Sequence, residues 1–100
     1  MFLHNVYFWM ESDLDDDALR AFEQGLRTLC ENPPAILGYY GKPAEAHRDV
    51  VDGSFSYGLH VTFEDRAGQD AYQVGEVHQR FVADHAAKWA RVLVYDTEVS

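Results

Sequence analysis

The stretch Phe2–Trp9 limits the fold more than any other part of the chain. Its residues are mostly aromatic or β-branched, which favours an extended strand. Alternation then places Phe2, His4, Val6 and Phe8 on one face and Leu3, Asn5, Tyr7 and Trp9 on the other. Both faces are rich in large apolar groups, so both need a cover, unlike a surface sheet with one polar side. The 100 residues are read as a single domain, 1–100, and a lone domain of that size leaves much surface exposed. With 47% hydrophobic and 14% aromatic residues, the chain has more apolar surface than one such domain can hide. A homodimer is the expected solution.

The remaining elements follow in order. Ser12 and Asp13 are placed to cap a helix from about Leu14, with Asp15, Asp16 and Asp17 also near its positive end. Leu19, Phe22, Leu26, Leu29 and Cys30 recur at helical spacing, and Asn32-Pro33-Pro34 closes the helix. A strand over Ile36–Tyr40 and a polar loop over Ala44–Gly53 come next. From Phe55 to Glu64 the alternation is clean: Phe55, Tyr57, Leu59, Val61 and Phe63 point one way, and Ser56, Gly58, His60 and Thr62 the other. His60 is thereby expected at a sheet–sheet interface. Asp65 caps a helix to Val74, Gly75 breaks it, a second helical segment covers Val77–Ala87, and Arg91–Tyr95 is a closing strand. Strand, helix, strand, strand, helix, strand with right-handed crossovers predicts an α+β fold: a ferredoxin-like, four-stranded antiparallel sheet with helices on one face. Two such sheets face to face form a dimeric α/β barrel.

Charge removes several function classes. The formal net charge is −9 and the eight Lys and Arg are scattered, so neither nucleic acid nor an anionic membrane is an expected partner. No apolar run of spanning length occurs, and Met1–Asn5 has neither the basic region nor the cleavage site of a leader. Cys30 is alone, which fits a reducing cytoplasmic setting and a packed thiol. The five histidines lack metal-ligand spacing, His78 and His85 being two helical turns apart. The Asp13–Asp17 run lacks the glycine and terminal glutamate of a calcium loop. No metal is expected.

Several segments, taken in order, resemble the stress-responsive α/β-barrel (Dabb) family. They are the His4-bearing first strand, Gly41 after the second strand, Val61-Thr62-Phe63, Asp70-Ala71-Tyr72, His78-Gln79-Arg80-Phe81 and Val94-Tyr95-Asp96. The resemblance spans nearly the whole chain and implies a dimeric barrel. A more distant similarity, to the plant olivetolic acid cyclase, implies cofactor-free chemistry in which Tyr72 and His78 act, with His4 matching a strand-one histidine. Tyr57 stands where that cyclase has a further pocket histidine.

These residues make chemical sense together. An imidazole can take or give a proton near neutral pH, and a phenol can donate to a carbonyl gaining charge. An aspartate, Asp96, would orient His78. The competing reading is that His78 and His4 are hydrogen-bonded core residues. If the site is chemical, its pocket is expected between sheet and helices, lined by His4, Val6, Phe8, Phe22 and Leu26, and by Tyr57, Leu59, Phe63, Phe81 and Val92. The resulting expectation is a cofactor-free enzyme moving protons (cyclisation, isomerisation or a related step) on a small apolar carbonyl compound. The alternative is a non-catalytic, stress-associated or small-ligand-binding dimer. An open cavity beside His78 separates the two.

Overall fold

In a computed structural model that describes residues 1–100, four strands form one sheet: β1 (Phe2–Met10), β2 (Leu37–Gly41), β3 (Tyr57–Phe63) and β4 (Trp89–Glu98). The order across the sheet is β2-β3-β1-β4, and every neighbouring pair is antiparallel. Three helices, α1 (Asp16–Cys30), α2 (Arg66–Val74) and α3 (Glu76–His85), pack on one face, and a 3-10 turn at Ala86–Lys88 leads into β4. This is the expected ferredoxin-like arrangement. No helix is long and apolar enough to cross a membrane.

Phe22 of α1 is the hub of the core, with none of its surface exposed. Its ring meets Phe8 at 5.2 Å, Tyr57 at 5.3 Å and Phe81 at 5.7 Å between centroids, joining β1, β3 and α3 through one side chain. At the other end Tyr72 of α2 packs edge-on against Phe63 at 4.9 Å. Gly38 is fixed by closeness rather than by backbone angle: a Cβ there would lie 2.6 Å from Cys30 Cα and 2.7 Å from its carbonyl oxygen. Gly38→Ala is therefore expected to push α1 off the sheet and cost about 1–3 kcal/mol, read as a lower Tm. An unchanged Tm would show that α1 shifts freely.

Three local expectations are corrected. Asp15, not Ser12 or Asp13, caps α1, its carboxylate accepting from the Ala18 amide at 2.8 Å. The two earlier residues precede the first turn by too much to reach that amide, and the helix starts at Asp16. Phe55 does not join Tyr57 in the core. Ser56 accepts from the Met10 amide through its hydroxyl and donates its own amide to Phe8, ending the alternation, and Phe55 instead packs on Tyr7 at 4.9 Å on the opposite side. β4 is longer than Arg91–Tyr95, because pairing with β1 from Phe2↔Glu98 to Phe8↔Val92 and beyond holds residues whose own pattern is polar.

The sheet face away from the helices carries Leu3, Tyr7 and Trp9 with Tyr39, His60 and Tyr95, of which Tyr39 and Tyr95 are well exposed. Within the chain, Phe55 packs on Tyr7 and Ser54 accepts from Trp9 Nε1, which leaves Tyr39 and Tyr95 bare. The molecule is accordingly a slab of 36 × 34 × 18 Å. Its 6559 Å² of accessible surface exceeds the roughly 5,800 Å² usual for a monomer of this mass.

Candidate functional site

The helices do not cover the sheet evenly. Register puts Val92 opposite Phe8 and Val94 opposite Val6, on the helix face, yet these two valines are 42% and 45% exposed. The inner face of β4 is thus left open, and a cleft of about 450 Å³ runs between it and helices α2 and α3.

One end of that cleft is polar. Register also sets Asp96 directly opposite His4, and His4 Nδ1 donates to Asp96 Oδ1 at 2.6 Å. With a carboxylate as partner, Nδ1 carries the proton and Nε2 keeps its lone pair. Nε2 has no protein partner, and no fully buried side-chain nitrogen or oxygen in the chain lacks one, so Nε2 opens to the cleft although His4 is only 5% exposed. His78, near the start of α3, is half-buried and lines the cleft, and its ring makes no hydrogen bond within the chain. Burial, and then the neighbouring His4, hold its pKa below the ordinary imidazole value, which keeps it neutral at physiological pH.

Tyr72 stands between the two imidazoles, edge-on to His4 at 6.5 Å and to His78 at 5.6 Å between centroids. Its hydroxyl donates to the Leu29 carbonyl at 3.1 Å, and burial pushes its pKa far up. The phenol proton expected to reach a substrate is thus directed to the backbone of α1, and the Tyr72 ring lines the cleft. Asp96 is bonded to His4, not to His78, because the β1/β4 register brings it to strand one.

The cleft contains His4, Val6, Phe8, Leu59, Phe81 and Val92 of the expected pocket, together with Tyr72, His78 and Asp96. Phe22, Leu26, Tyr57 and Phe63 are not in it; they are sealed in the core, and the Tyr57 hydroxyl donates to Glu23 at 2.6 Å on the far side. The sequence reading missed Leu29, Gln69, Gln73, Val82, Trp89 and Val94. Gln69 and Gln73 flank Tyr72 at helical spacing on α2 and are bonded to each other at 2.9 Å, a signal that helical periodicity carries. No group of three His, Cys, Asp or Glu side chains is arranged to hold a metal ion. Two imidazoles facing one space, one held by a carboxylate and the other neutral, can together remove a proton and support an oxygen that gains charge.

The family model described as the stress-responsive A/B barrel domain (Dabb) matches residues 2–99. No curated protein matches the sequence significantly. Among solved structures, an Arabidopsis thaliana protein superposes with a TM-score of 0.82 at 16% identity, over 100% of this chain and 96% of its own. Hydroxynitrile lyase from Passiflora edulis gives 0.83 at 17% identity, over 99% and 93%. A protein from Jannaschia sp., described as a dimeric ferredoxin-like protein of unknown function, gives 0.76 at 28% identity, over 98% of both chains.

Proposed function

The chain belongs to the stress-responsive α/β-barrel (Dabb) family, and from that premise we propose that it is a cofactor-free enzyme that moves protons on a small apolar carbonyl compound. The open cleft with the His4 and His78 ring nitrogens free inside it carries this reading. A filled core would have favoured plain packing. The chain shares its fold with a hydroxynitrile lyase.

His4 is the general base. Asp96 fixes its tautomer and supports the imidazolium that forms when Nε2 takes a proton from the carbon next to the carbonyl. His78, neutral, donates an N–H to the carbonyl oxygen as that oxygen becomes an enolate. Returning the proton to oxygen or to a different carbon completes an isomerisation, and attack of the enolate on a second carbonyl, whose oxygen then takes the proton from His4, completes an aldol closure. Crystals soaked with small aryl ketones test the arrangement. Density should show the carbonyl oxygen within hydrogen-bond distance of His78 and the adjacent carbon facing His4 Nε2. An empty cleft at saturating ketone would remove the enzyme reading in favour of a non-catalytic dimer.

The second element of the proposal is assembly. A second copy covers the apolar sheet face, as the dimeric description of the Jannaschia protein supports. His60, exposed at the centre of that face and bonded to Asn5 at 2.8 Å, is the probe. Light scattering should give twice the 11.4 kDa chain mass for the wild type and a shift toward monomer for His60→Glu, with helix content unchanged. Equal dimer stability in the variant would place the interface elsewhere.

A further inference from the structure

We infer that the cleft takes an uncharged ketone or aldehyde, oxygen at the His78 end and apolar arm along β4, and that it discriminates against carboxylates of the same shape. This rests on the proton-transfer reading above and names its substrate class.

The charge content of the walls decides it. None of the 15 residues lining the cleft is a lysine or an arginine. Asp96 is the one carboxylate among them, and its side chain is 41% exposed. An anionic substrate would leave water, find no cation, and meet both Asp96 and the field of a chain with net charge −9. The donors available to it are neutral: an imidazole N–H on His78 and the amides of the Gln69–Gln73 pair. These suit a carbonyl oxygen, which needs one or two hydrogen bonds and no counter-charge. A cationic substrate fares little better, since the Asp96 carboxylate is already engaged by His4.

Shape supplies the rest. Along β1 and β4 the paired residues run from His4 and Asp96, through Val6 and Val94, to Phe8 and Val92, and Trp89 closes the far end. The floor therefore changes from polar to apolar over four residues, about 13 Å. A molecule with one oxygen end and one hydrocarbon end fits in a single direction.

Three probes sharing one ring, namely acetophenone, benzoate and benzylammonium, test this on the full chain. Dissociation constants are read from the His4 and His78 side-chain NMR signals at low salt and about pH 7.5, above the imidazole range. Acetophenone should move both histidines and bind at least about tenfold more tightly than either ion. Gln73→Lys places an ammonium on the wall and should improve benzoate about tenfold relative to acetophenone. Benzoate binding as tightly as acetophenone, benzylammonium doing so, or no gain for benzoate in Gln73→Lys would each overturn the inference and leave proton transfer standing. Silence of both histidines toward all three probes would overturn both.

Discussion

His78→Ala is expected to lower the rate of proton transfer on a carbonyl substrate by about two to four orders of magnitude, and His4→Ala by a similar factor. Each change removes one of the two ring nitrogens that open to the cleft. Tyr72→Phe should behave differently. Its hydroxyl proton is held by Leu29, so the rate should fall far less, while the lost buried hydrogen bond costs about 0.5–1.5 kcal/mol of stability. Steady-state rates followed beside thermal melts separate the two outcomes. A Tyr72→Phe loss as large as that of His78→Ala would mean that the phenol leaves Leu29 and meets the substrate. The pH–rate profile carries a further sign. Burial and His4 hold the His78 pKa down, so any change of rate caused by protonating it should appear only below the ordinary imidazole range.

Phe22→Ala is expected to be the most damaging change to the fold, at about 3–5 kcal/mol. The ring is wholly buried and touches aromatic groups from two strands and α3, so its removal leaves a cavity that no neighbour can close without moving a whole element. Calorimetry should show Tm falling by more than about 10 °C. A cost below about 1 kcal/mol would show that the aromatic cluster repacks, contradicting its description as a rigid hub. Phe22 lies outside the cleft, so the effect is on stability rather than on proton transfer as such.

Much of this architecture is legible from alternation alone. The strand faces of Phe2–Trp9 and of Tyr57–Phe63, the Asp65 cap and the break at Gly75 are local properties of the chain. What stays hidden is register. His4 and Asp96 are 92 positions apart, and only the pairing of β1 with β4 shows that they meet, while the spacing of His78 and Asp96 gives no distance between them. Periodicity also tells which face a residue takes but not how deep it lies. Phe22 and Leu26 of α1 and Tyr57 and Phe63 of β3 share the helix-side layer with the cleft residues and yet are sealed in the core, where no opening remains. The opening exists because β4 extends along the sheet edge beyond the reach of α2 and α3, a consequence of helix lengths and packing.

The most direct measurement is solvent deuterium exchange. Aryl and alkyl ketones in deuterated buffer are followed by proton NMR, which counts hydrogens on the carbon next to the carbonyl as a base removes them and solvent replaces them. The wild-type protein should accelerate that exchange well above the buffer rate without added metal or cofactor, and His4→Ala and His78→Ala should each abolish most of the gain in folded protein. Exchange at the buffer rate across the panel, from wild-type protein shown by NMR to hold the ketone beside His78, would contradict proton transfer and leave the cleft as a binding site alone.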